Sequence, residues 1–218
     1  MSKIKSIIIA TVVLIGLPML ESFSQTESEG KTIGLEDISF SFRGGLGVSN
    51  LAGATAGYSY RSGIAVLGGV YAEYSATAKS GLMAGIEYTI KGATIKTDDL
   101  FFYDNLHYDL SYVNFYMGGF HDLTQRLRLE AAIIPAIKAS EEISYTGVYG
   151  YGGLSATTDN VRNMDLGTMA GFSYQFTKIN FGVHYTYGLM DINKNQSEGV
   201  SSLQNRMLMF SLKYVLDI

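Results

Sequence analysis

Eight charged residues occupy positions where extended chain would throw them to one side. Arg43, Glu73, Glu87, Lys91, Arg128, Glu130, Lys138 and Asp165 each take the polar parity of a segment in which polar and apolar residues alternate. In GLMAGIEYTIKGATI (81–95), Leu82, Ala84, Ile86, Tyr88 and Ile90 have one parity, and Met83, Gly85, Glu87, Thr89 and Lys91 the other. Successive side chains of a strand point to opposite faces, so one face is oily and the other ionic. The eight charges balance in sign, and Lys213 shares their parity. A balanced set suits ion pairing in a confined space, where an unpaired charge is costly. The competing use is a selective pore or proton path.

Few residues suit catalysis. His107 and His121 read as loop and turn residues, while His184 has the polar parity. An acyl-transfer site needs a histidine beside a serine or acid. No serine sits at a spacing that forces it beside His184; Asp165 and Ser173 are the nearest candidates, at opposite ends of one segment. RGGLGVSN (43–50) has Gly45 and Gly47 but neither a third glycine nor a following helix, so it is no dinucleotide fingerprint. DINKNQSEG (191–199) lacks calcium-loop spacing. With no cysteine there is no thiolate metal site and no disulfide framework. The expectation is a non-enzyme without metal or cofactor. The recognition candidate is the stretch 139–162, where Tyr145, Tyr149 and Tyr151 are interspersed with glycines, as in adaptable binding surfaces. The same tyrosines would also suit lying on lipid headgroups.

Eight alternating segments position these residues, at 38–48, 63–76, 81–95, 108–120, 127–138, 163–176, 179–190 and 205–216. In the first, Phe40, Phe42, Leu46 and Val48 oppose Ser41, Arg43, Gly45 and Gly47; in the seventh, Ile179, Phe181, Val183, Tyr185 and Tyr187 oppose Asn180, Gly182, His184, Thr186 and Gly188. The fourth is least regular, with Tyr112, Asn114 and Tyr116 assigned inward. The joints 49–62, 96–107, 139–162 and 191–204 are long, whereas 77–80, 121–126 and 177–178 are tight. Long and short alternate strictly, so all tight turns leave one end of an up-and-down meander, as in transmembrane barrels.

A soluble barrel would hide the oily face inside; a membrane barrel turns it to lipid. Three features favour the membrane. Small residues (Gly45, Gly47, Gly69, Gly85, Ala132, Gly167, Gly171, Gly182, Gly188) crowd the polar parity, where a narrow lumen needs them. The polar-parity charges nearly balance. Aromatics (Phe40, Phe42, Tyr74, Tyr174, Phe176, Phe181, Tyr214) gather at the tight-turn ends of the oily parity, as an interfacial girdle does. The fold expected is all-β, an eight-stranded antiparallel up-and-down transmembrane β-barrel.

The two ends of the chain fit export. Lys3 and Lys5 precede the apolar run 6–20, and Ser22 and Ser24 offer the small residues of a cleavage site before Gln25. The run is short for a spanning helix. The domains expected are a cleaved signal peptide over 1–24, a flexible segment over 25–37 and the barrel over 38–218. The net charge of −4 argues against a nucleic-acid partner.

On GGVYAEYSATAKSGLMAGIEYTIKG (68–92), MDLGTMAGFSYQF (164–176) and HYTYGLMDIN (184–193), the chain resembles the PorT-type outer-membrane β-barrel family. It departs in having YVNFYM (112–117) where members often carry Tyr-Leu-Glu-Ile-Pro, and in ending YVLDI without a terminal aromatic. The resemblance implies a Gram-negative outer-membrane protein in contact with lipid. One family member takes part in protein secretion, but no residue here can be assigned that role. The function expected is structural or adaptor-like, with outer loops docking an envelope or secretion protein. The alternatives are a small-solute pore and a lipid acyl-modifying enzyme.

Overall fold

A computed structural model describes residues 38–53, 58–97, 103–147, 154–157, 159–194 and 202–216. The segments 1–24 and 25–37, and Tyr149 and Tyr151, lie outside the described residues, as does the side chain of Tyr145. The strands are β1 (Ile38–Ala52), β2 (Tyr58–Ser75), β3 (Ser80–Thr97), β4 (Tyr103–Asp122), β5 (Leu127–Gly147), β6 (Leu154–Thr157), β7 (Met164–Phe176), β8 (Ile179–Gly188) and β9 (Gln204–Val215). All pairings are antiparallel, and β1 pairs with both β2 and β9. With β4 paired to β5 and β5 to β7, eight strands close a barrel. The four-residue β6 adds only to the outer end of β5. No helix occurs among the described residues.

The oily parity faces out. Phe42, Leu46, Ile86, Phe115, Ile133, Phe172, Phe181 and Phe210 are all exposed large hydrophobics. On β1 the outward column from Ile38 to Val48 corresponds to about 25 Å of height at a tilt near 40°, the apolar thickness such barrels present. The girdle residues Phe40, Phe42, Tyr174, Phe176, Phe181 and Tyr214 lie on this face. In β4, Tyr112, Asn114 and Tyr116 point inward and are buried.

Three tight turns close the opposite end. Thr77 Oγ1 accepts from the backbone N–H of Ser80 at 2.9 Å, and Thr124 Oγ1 from that of Leu127 at 3.0 Å. The two-residue turn places Thr177 at a positive φ of 57°, a conformation rare for a β-branched residue.

Two sequence expectations change. First, the strands are longer than the apolar alternation: 49–52, 58–62, 96–97, 103–107 and 139–147, parts of the expected long joints, belong to the ladder. Backbone pairing continues past the hydrocarbon edge, where outward residues such as Asp109 and Glu142 are already polar. Second, Tyr187 has the outward parity expected but is buried, its hydroxyl donating to Gln204 Oε1 at 3.0 Å.

One residue out of step matters to the interior. Ser111 pairs with Ser140 and Tyr112 with Lys138, so Ala139 is a bulge in β5. Inward positions are even up to Lys138; beyond the bulge Glu141 points in.

Candidate functional site

The lumen is filled with paired side chains, layer upon layer. At the tight-turn end, Arg128 donates from Nε to Asp122 Oδ1 at 2.7 Å and from Nη1 to Glu73 Oε2 at 2.8 Å. Its guanidinium stacks 3.7 Å over the ring of Phe120. Gln175 also donates to Asp122. Lys213 bonds the second oxygen of Glu73 and lies 3.8 Å from Glu130.

Glu130 is the hub of the middle layer. It accepts from Ser173 Oγ at 2.8 Å, lies 3.2 Å from His184 Nε2 and faces Arg43 Nη2 at 3.5 Å. Arg43 is held over the rings of Tyr71 and Tyr116, at 4.1 and 5.1 Å. Glu87 takes hydrogen bonds from Tyr71 OH and, at 3.3 Å, from Asn114 Nδ2. Small residues allow this crowding: a Cβ on Gly85 would come within 2.5 Å of the Tyr71 ring. Above, Lys91 lies 3.8 Å from Asp165 and over the ring of Tyr112, and Asn205 donates to Asp165 at 2.7 Å.

The outer mouth is closed differently. Leu51, Leu110 and Tyr112 from the wall meet Val161, Ile192 and Leu203 from the two outer connections in one apolar cluster. Lys138 and Glu141 fasten this cap. Lys138 Nζ donates to Glu141 at 2.6 Å, to Val161 O at 2.7 Å and to Asp159 at 3.1 Å. Glu141 accepts from the backbone N–H groups of Asn160 and Val161. Lys194 pairs with Asp159. The small gap among Ser49, Lys91, Gly92 and Asn205 has no room for a water molecule.

The structure therefore brings Arg43, Glu73, Glu87, Glu130 and Arg128, with Lys213, into one connected group, pairs Lys91 with Asp165 above it, and sets Lys138 apart at the mouth. Sequence reasoning put Glu141 in a loop, because the bulge that turns it inward leaves no mark in the alternation. It also missed Asp122, whose turn-side position hides its reach to Arg128.

His184 has Glu130 on one side and Ser211 Oγ at 3.3 Å on the other. Of its two suggested neighbours, Asp165 binds Lys91 and Asn205, and Ser173 binds Glu130. Ser211 lies opposite Gly182 in register. The order serine–histidine–carboxylate is that of a nucleophile relay. A Cβ on Gly182 would sit 2.7 Å from Ser211 Oγ and 2.3 Å from the His184 ring. The glycine at 182 is what leaves room for the Ser211 hydroxyl beside the His184 ring. Among the described residues no group of three histidines or carboxylates could hold a metal.

Outside the lumen, hydrogen bonds from Lys194 and then Lys138 hold the exposed Asp159 carboxyl below its ordinary range. A depressed carboxyl stabilises the folded state above its unfolded value, about pH 4, and the contribution fades as pH falls through the lower folded value. A spin label at Asn193 is expected to keep constant mobility from neutral pH to about pH 4 and to loosen only below. Loosening at pH 5–7 would assign the latch to another group.

A closed barrel with an oily exterior and a neutralised interior defines an outer-membrane β-barrel. The profile described as "Outer membrane protein beta-barrel domain" matches residues 23–194, and the chain belongs to that family. No curated protein sequence matches it. Among solved structures, Neisserial surface protein A is similar at 14% identity and a TM-score of 0.50, over 80% of this chain and 96% of that one. OprG from Pseudomonas aeruginosa is similar at 13% identity and 0.45, over 83% and 96%. The attachment invasion locus protein Ail of Yersinia pestis is similar at 12% identity and 0.42, over 81% and 98%. At such identities the likeness concerns the fold.

Proposed function

We propose that this protein is a non-conducting, non-catalytic outer-membrane barrel of the PorT type, exported by a signal segment over 1–24. Its role is structural or adaptor-like: the long outer loops, with Tyr145, Tyr149 and Tyr151, dock an envelope or secretion protein. The wall is committed to lipid and the lumen to itself, so the loops are what remains for binding. The observation that supports this reading is the interior, filled by ion pairs from the Arg128–Asp122 end upward and capped by Val161 and Ile192. An eight-stranded barrel so filled leaves no aqueous path.

Reconstituted into planar bilayers, the protein is expected to give no steady current. Sustained open currents would replace this reading with a small-solute pore. Photo-crosslinkers at Tyr149 and Tyr151 in intact cells are expected to recover one envelope protein. Products containing only lipid would leave the tyrosines as headgroup anchors and remove the adaptor role.

A further inference from the structure

The geometry points to a phosphate-binding seat at Arg206, partly exposed at the outer edge of the barrel wall, that holds the headgroup of an outer-leaflet lipid. Alternation on β9 sends Asn205, Met207, Met209 and Ser211 inward, so Arg206 shares its parity with Leu208, Phe210 and Leu212. It is the only charged residue in that outward column of β9. Its neighbours in register are Asn50 on β1 and Tyr187 on β8, and Tyr187 faces Thr168 on β7. These four form a polar row across four strands. Directly beneath runs the apolar row Val48, Leu208, Tyr185 and Ala170. The step from one row to the next marks the edge of the hydrocarbon, the depth at which lipid phosphates lie.

Within the row, Arg206 is placed to receive an anion. Its guanidinium lies 5.3 Å over the Tyr187 ring, and Tyr187 is fixed by its bond to Gln204. Arg206 Nε is buried and has no hydrogen-bond partner, and no carboxylate among the described residues pairs with it. The lumen arginines, in contrast, each face a carboxylate. Asn50 Oδ1 beside it is buried without a partner as well. With that amide turned over, Nδ2 becomes a second donor beside the guanidinium. A planar fork of N–H donors matches phosphate oxygens bidentately. A cation at the hydrocarbon edge needs a counter-ion, and no carboxylate among the described residues supplies one.

The test uses the full chain in neutral detergent, with dioleoyl phosphatidic acid, dioleoylglycerol or inorganic phosphate added, and counts adducts by native mass spectrometry. Heat-modifiable gel mobility verifies folding. Phosphatidic acid is expected to remain bound to the wild type, and R206Q to lose about tenfold in retention, the worth of one charged hydrogen bond. R206K should lose less, N50A should lose part, and R162Q, altering an exposed outer arginine outside the row, should lose nothing. N50A carries the test if R206Q does not fold. Equal retention by wild type, R206Q and N50A would overturn the seat. Equal loss in R162Q would reduce it to diffuse surface charge. Binding of dioleoylglycerol as tight as that of phosphatidic acid, or full displacement by millimolar inorganic phosphate, would remove the lipid phosphate as its occupant.

Discussion

Replacing Glu130 by alanine is expected to lower the unfolding free energy by about 3–5 kcal/mol, the cost of leaving buried charge without its partner. Glu130 is 1% exposed and serves Ser173, His184, Arg43 and Lys213 together. Its removal strands Arg43, whose remaining carboxylate, Glu87, is 4.0 Å away. Tyr71, Tyr116 and Met83 pack around the Arg43 guanidinium and offer it no charged partner. Glu130→Gln keeps the shape and one acceptor oxygen, enough for Ser173, while it loses the charge and the second acceptor, so it should fall between wild type and alanine. Urea titration of the liposome-inserted protein measures both. An alanine variant within about 1 kcal/mol of wild type would show that the ion pairs do not hold the barrel together.

Phe210→Arg is expected to cost about 2–4 kcal/mol in lipid, the penalty for a cation near the bilayer midplane. Phe210 is 59% exposed, and in water a substitution at so open a position usually changes stability by less than about 0.5 kcal/mol. The measurement therefore separates the two ways of wearing this sheet. Reconstitution into liposomes followed by urea titration gives the value, and the same variant in the Arg206 position's row would be tolerated because headgroups begin there. A neutral result at Phe210 would mean that water, not hydrocarbon, touches the outer face.

Much of the fold was legible because its signal is local. Side-chain direction repeats every two residues, so Glu87 against Ile86, or His184 against Val183, can be sorted from the chain alone. The alternation of long and tight joints then requires a meander. Strand ends were less legible: the apolar pattern stops where hydrocarbon stops, whereas hydrogen-bonded pairing runs on through 139–147 and 49–52.

What the sequence by itself determined is which side chains share a face, and hence that a balanced set of charges lies opposite a greasy exterior. Only the tertiary structure decided who meets whom. Glu130 and Arg43 are 87 positions apart and meet across the lumen because of strand register and closure. One bulge at Ala139 turns Glu141 inward to bind Lys138 and the cap. Ser173 and Ser211 both lie opposite Gly182, on either side of β8, yet Ser211 meets His184 while Ser173 donates to Glu130. The alternation is a property of each strand alone, while register and closure are sums over all eight strands, and a single inserted residue in any of them changes every partner beyond it.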